Sequence, residues 1–184
     1  MAKIGLNNFR YGILTEGTDG KATYTAGKQL RKAISCSVEV ENNDATLYAD
    51  DRIAESDKSF NSATVTITID DDDMEVLSEI LGHTYSTEAG MVRKTDDVAP
   101  YVGLGRVITK LVDGAYKYKV EFLNKVKFAE PSQEENTKGE SVEFGTTEIE
   151  GTASALANGE WSKAKVFDTQ TEAMTYLESL FAKS

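Results

Sequence analysis

His83 is the chain's only histidine and Cys36 its only cysteine, so a Ser-His-Asp or Cys-His relay would have to use His83. No Gly-x-Ser-x-Gly elbow occurs, and His83 directly follows a predicted helix end. It is read as a surface or helix-capping histidine. Cys36 lies within Ile34–Glu41 (ISCSVEVE), where Ile34, Cys36, Val38 and Val40 alternate onto one strand face. With no basic neighbour to stabilise a thiolate, Cys36 is expected to pack, not react. The run Asp70–Asp73 could bind Ca²⁺ or Mg²⁺, or pair as acid and base. It lacks the spaced ligands, central glycine and distal glutamate of a helical Ca²⁺ loop, so helix capping is the expected role. Gly103-Leu104-Gly105 sits in a strand run without a following helix, and no phosphate loop occurs. The chain therefore predicts no catalytic residue, cofactor or metal, and a non-enzymatic role.

The elements around these residues are clearer. Val65, Ile67 and Ile69 alternate with Thr64, Thr66 and Thr68, the period of a strand with one buried face. All six are β-branched, which suits a pleated backbone. Beyond the aspartates, with Asp72 or Asp73 as the cap, Met74, Leu77, Ile80 and Leu81 recur at helical spacing, and Gly82 suits a left-handed terminator. Strand and helix each have one dry face and are expected to cover one core.

Farther along, Asp113-Gly114 separates two alternating runs, the signal of a hairpin whose turn needs positive φ at both positions. The implied register pairs Leu111 with Tyr116, Thr109 with Tyr118 and Val107 with Val120 on a dry face. Lys110 with Lys117 and Arg106 with Glu121 fall on a mainly basic wet face. Trp161–Phe167 reads as a last strand, and Thr169 with Glu172 stands at capping-box spacing before a final helix with Ala173, Leu177, Leu180 and Phe181 as its stripe. Residues 1–33 read as an arm or edge strand. Asn42–Ser59 reads as a surface loop or a projecting loop or hairpin, and about 129–141 as an exposed loop. The prediction is one mainly β domain over 1–184, a β-sandwich or partly open barrel with two short helices.

Composition narrows function further. Acids outnumber bases 31 to 20, for a formal charge of −11, which argues against broad adsorption to DNA, because such binding draws on Lys and Arg displacing counterions. No apolar run approaches the ~20 residues that span a bilayer. The opening MAKIGLNNFRYG lacks a secretory signal pattern, so a cytosolic folding environment is expected.

Leu47–Ile67 (LYADDRIAESDKSFNSATVTI), Val102–Val107 (VGLGRV), Phe122–Gly151 (FLNKVKFAEPSQEENTKGESVEFGTTEIEG) and the opening MAKIGLNNFRYGILTE together resemble the major tail protein of bacteriophages with long, non-contractile tails. The resemblance implies a tail-tube-like fold and a structural virion protein without cofactors. Copies would form hexameric rings that stack into a tube around a tape-measure protein and conduct DNA to the host. Tail terminator and distal tail or baseplate proteins would be further partners, with DNA passing through unbound. The chain would reside in the host cytoplasm before assembly and in the virion afterwards. Some relatives carry a C-terminal immunoglobulin-like domain, which is not expected here.

On that reading Thr64, Thr66 and Thr68 face the lumen, although the same alternation also describes an ordinary solvent-facing sheet. Leu47, Tyr48, Asp50, Asp51, Arg52, Lys110, Lys117 and Lys119 are the expected intersubunit contacts. The rival readings are a monomeric carbohydrate- or protein-binding β-sandwich, with Trp161 and exposed tyrosines as its platform, and a ring protein of a related secretion-type tube.

Overall fold

A computed structural model describes residues 2–17, 21–30, 33–49, 52–69, 73–131 and 146–181. The elements run β1 (Ala2–Glu16), β2 (Ala22–Tyr24), β3 (Lys28–Gln29), β4 (Ala33–Ala49), β5 (Arg52–Ile69), α1 (Met74–Leu81), β6 (Thr84–Ser86), β7 (Gly90–Val92), β8 (Tyr101–Val112), β9 (Ala115–Phe128), β10 (Thr147–Ser154), β11 (Ser162–Phe167) and α2 (Gln170–Phe181). Nine strands form one sheet ordered β2-β1-β8-β9-β10-β5-β4, with β3 also on β1 and β11 also on β9, while β6 and β7 pair separately. The fold is mainly β and sandwich-like, with antiparallel sheets not closed into a barrel.

The sheet wraps because β9 changes partners along its length. Tyr118–Leu123 pair with β11, and Lys125–Phe128 pair with β10. At the changeover Asn124 and Lys125 together oppose Gly103, a β-bulge that adds local twist. The sheet thereby encloses a core holding Phe9 and Tyr11 from β1, Val65, Ile67 and Ile69 from β5, Val102 and Leu104 from β8, and Ile149 from β10. Leu77, Ile80 and Leu81 of α1 close the same core, so strand and helix share it as their patterns predict. Asp73 caps α1 by accepting from the Val76 amide at 3.3 Å, and Gly82 ends it at φ +79°. Asp70–Asp72 lie outside the described residues, and Met74, expected in the stripe, is exposed.

A second cluster forms on the opposite face of β8 and β9. Ala173, Leu177 and Phe181 of α2 pack there on Val107, Val120 and Phe122. Gly105 makes this approach possible: a Cβ on it would lie 2.4 Å from Leu177 Cδ1. Thr169 caps the helix reciprocally with Glu172, its Oγ1 donating to the carboxylate at 2.9 Å and accepting the Glu172 amide at 3.3 Å.

The β8–β9 hairpin has the register read from sequence, from Arg106 opposite Glu121 to Leu111 opposite Tyr116. Asp113 and Gly114 both have positive φ, 50° and 81°. Its faces differ from expectation. Leu111 and Tyr116 on the dry side are exposed because the tip projects past α2, while Ile108 on the wet side is buried.

Other expectations need correction. β1, expected as an arm or edge, lies between β8 and the β2 and β3 strands and adds Phe9 and Tyr11 to the core. Of the two readings of Asn42–Ser59, the hairpin holds and the surface loop does not: β4 and β5 continue their ladder out to Ala49 and Arg52. Ile34 falls at a register shift and is exposed, so it does not share the face of Cys36 and Val38. Most of the exposed loop expected over about 129–141 lies outside the described residues, which omit 132–145.

Candidate functional site

The feature most suited to a function is the outer face of β10, β5 and β4. Because directly opposed residues of antiparallel strands share a face, the register assembles it row by row. Glu148, Thr68 and Ser35 form one row, then Glu150, Thr66 and Ser37, then Thr152, Thr64 and Glu39. Ser62 and Glu41 continue it along β4 and β5. The other face of β5 is the buried row Val65, Ile67 and Ile69, with each residue at most 2% exposed.

This outer surface is therefore hydroxyls and carboxylates, with no Lys or Arg in these rows. Ser35 donates to Thr68 Oγ1 at 2.9 Å and Ser62 to Glu41 at 3.0 Å, which satisfies part of the hydroxyl array within the sheet. Cations begin only where β9 joins, with Lys127 opposite Thr152 and Lys125 opposite Ser154. Both lie over the Tyr101 ring, and Lys125 also binds Glu16 at 2.7 Å.

The predicted contact residues divide into two places. Leu47, Tyr48 and Arg52 lie in the outer β4–β5 ladder, opposite Glu55, Ile53 and Ala49. Asp50 and Asp51 at its turn lie outside the described residues. Past Phe60, this ribbon pairs with no other described strand, because β10 leaves β5 at Ala63. Eight residues of ladder project roughly 25 Å. At its base Phe60 stacks on Trp161 with centroids 4.4 Å apart and planes 8° apart. That stack occupies one face of the indole proposed as a binding platform.

The lysines lie elsewhere. Lys110 and Lys117 face each other near the β8–β9 tip, and Lys117 pairs with Asp168. Lys119 instead turns into the open side of the sandwich, where it and Arg106 both bind Glu121, the latter at 2.7 Å. Burial pushes the Glu121 carboxyl up, but the two cations outweigh it and hold it below its ordinary range. Arg106 also donates to the Cys36 carbonyl at 3.2 Å, tying β4 over β8. The expected wet basic face is thus partly an internal ion cluster, which sequence spacing along one hairpin has no means of revealing.

Of the two roles expected of His83, the surface one fails, since its side chain is 4% exposed, and the capping one holds, since its amide donates to the Ser78 carbonyl at the end of α1 at 2.8 Å. Nδ1 stands 2.7 Å from Asp97 Oδ2, and Nε2 contacts Glu130. The His83 hydrogen bond and the Lys94 amide hold Asp97 below its ordinary range. The two carboxylates approach opposite ring nitrogens and do not converge on one point, as a metal site requires. Among the described residues no cluster of three metal-ligating side chains occurs. Among the described residues no helix is long and apolar enough to cross a membrane. Compared with protein-family models and with curated proteins, the chain finds no match in either.

Proposed function

We propose that this chain is a structural subunit that assembles with copies of itself into stacked rings, forming a tube that conducts DNA. The observation that carries the reading is the outer face of β10, β5 and β4, a sheet face of hydroxyls and carboxylates beside margins on which no described strand pairs. As a lumen wall, Thr64, Thr66 and Thr68 with Glu148 and Glu150 give passing phosphates no counterion-release gain, so DNA slides instead of adhering. Hydroxyls keep the wall wetted without adding positive charge.

The open margins fit a closed assembly. Among the described strands β4 bonds only to β5, and β11 only to β9, and unpaired edges need cover or use. A heterologous contact that closes by rotation uses them, and six copies per ring is what the tail-protein resemblance implies. The projecting β4–β5 ribbon would reach the adjacent ring. Tape-measure, terminator and distal tail or baseplate proteins are the further partners that such a tube requires, in the virion and beforehand in the host cytoplasm.

Electron microscopy of the purified full chain over rising concentration tests this reading. Rings or tubes are expected. Discrete monomers throughout would refute it and favour a binding module, and stacked rings lacking a lumen-facing hydroxyl sheet would refute the account of the wall.

A further inference from the structure

Asn124 is a polar residue that the fold buries without satisfying. It stands at the β9 changeover, follows the core residue Leu123, and is 1% exposed. Its backbone is engaged on both sides. The amide donates to the Trp161 carbonyl at 2.9 Å, and the carbonyl accepts from the Tyr24 hydroxyl at 2.9 Å. Its side-chain Nδ2 has no hydrogen-bond partner, alone among the buried side-chain polar atoms of the described residues. Burying an amide donor without an acceptor is unfavourable, so each such group asks for an explanation.

The surroundings supply one. Asn124 shares the strand face of Phe122, two residues earlier, which is the face that α2 covers. Tyr24, Phe122, Leu156 and Leu180 wall a cavity of about 350 Å³ that Asn124 also lines. Tyr24 stands edge-on to Phe122, with centroids 5.1 Å apart and planes at 83°. Gly103 permits this approach: a Cβ there would lie 2.5 Å from the Tyr24 ring and 2.8 Å from the Phe122 ring. The volume lies in the range of small-molecule sites and exceeds by far the ~30 Å³ of one water.

Charge does not select what enters. Lys163 pairs with Glu160 at 3.3 Å, and Asn158 Oδ1 accepts the Glu160 amide at 2.9 Å. Thr23 donates to the Thr15 carbonyl at 3.2 Å, and Lys21 has interactions of its own. The rim groups are thus engaged. The group left over is one neutral donor among aromatic and aliphatic walls.

We infer that this pocket binds a small uncharged molecule. Its carbonyl oxygen accepts from Asn124 Nδ2, and its apolar ring or chain lies against Tyr24, Phe122, Leu156 and Leu180. A site built to bond one oxygen rejects the analogue that lacks it, because the buried donor is then left unpaired. The inference is independent of the tube reading, since every lining group named comes from one copy.

Acetophenone serves as the probe, and ethylbenzene as its counterpart without the carbonyl. Titrated into the full chain and followed by nuclear magnetic resonance, acetophenone should saturably shift the Leu156 and Leu180 methyls and the Asn124 side-chain amide. The amide protons should move downfield with acetophenone and not with ethylbenzene. In Asn124→Leu the preference for acetophenone over ethylbenzene should fall about tenfold. If that variant does not fold, the parent titration decides alone. Absence of saturable shifts at these groups overturns the site. So does a preference unchanged by Asn124→Leu, or a bound water whose Overhauser contact with the Asn124 amide survives saturating acetophenone.

Discussion

Replacing Gly105 by alanine tests how α2 is seated. The new Cβ would lie 2.4 Å from Leu177 Cδ1 and 3.1 Å from Phe122 Cδ2, against roughly 3.5–4 Å for ordinary carbon contacts. Leu177 is 1% exposed and held among Ala173, Phe181 and Phe122, so it has no solvent to swing into. Overpacking of this kind costs about 1–3 kcal/mol. Glycine to alanine in an unhindered strand has the opposite sign, stabilising by about 0.4–1 kcal/mol through the unfolded chain. For a domain of this size, Gly105→Ala should lower Tm by about 4–8 °C, taking about 2 kcal/mol and 2–4 °C per kcal/mol. Leu177→Ala alone should cost about 2–5 kcal/mol. In the double variant the added methyl enters the vacated space, so the combined loss should fall short of the sum by about 1 kcal/mol or more. Urea and thermal unfolding followed by circular dichroism measure all three. A Gly105→Ala protein as stable as the parent, or strictly additive losses, would refute the seating of α2 on Gly105.

Lysine at Thr64, Thr66 and Thr68 should make assembled tubes retain DNA, with retention falling steeply as salt rises, because each added contact contributes roughly −0.9 to the logarithmic salt slope; a gel-shift series reads it, and unchanged DNA binding would remove these threonines from the wall. Trp161→Ala should cost about 2 kcal/mol, the stacked pair being only partly buried, and should speed amide exchange in residues 42–60 while the core stays protected. Trp161→Phe should restore that protection, and equal acceleration everywhere would show that the stack does not position the ribbon. Glu121 has a depressed folded-state pKa, so its contribution is present above its unfolded value of about 4.3 and lost as pH falls through the folded one; Glu121→Gln should therefore flatten the acid limb of the stability–pH profile below about pH 4.3. Gly114→Ala should cost about 1–2 kcal/mol, since φ there is +81°, and chemical denaturation that showed no loss would argue against the left-handed turn.

What the sequence determined by itself was whatever neighbouring residues settle among themselves. The two faces of β5 follow from a period of two over Thr64–Ile69. The β8–β9 register follows from Asp113 and Gly114, because two positive-φ residues dictate which pairs meet. Both ends of α1 and the start of α2 follow from groups within about one turn of one another, such as Asp73 with Val76 and Thr169 with Glu172. The hydroxyl row at Thr64, Thr66 and Thr68 was legible for the same reason.

Tertiary structure decided what depends on partners distant in the chain. The N-terminal segment reads as an edge because its glycines and short apolar runs give a weak local signal, yet β8 on one side and β2 on the other make β1 internal. Asn42–Ser59 is polar enough to leave loop and hairpin open, and cross-strand bonding between β4 and β5 decides for the hairpin. The His83 side chain lacks a local partner, and its burial depends on Asp97 and Glu130 arriving from other segments. Lys119 looks solvated on its own hairpin until the wrapping of the sheet sets β4 above it. Turns, caps and alternation are short-range properties carried by the chain itself, whereas a pocket lined by β2, β9 and β11 exists only once strands far apart in sequence share one sheet.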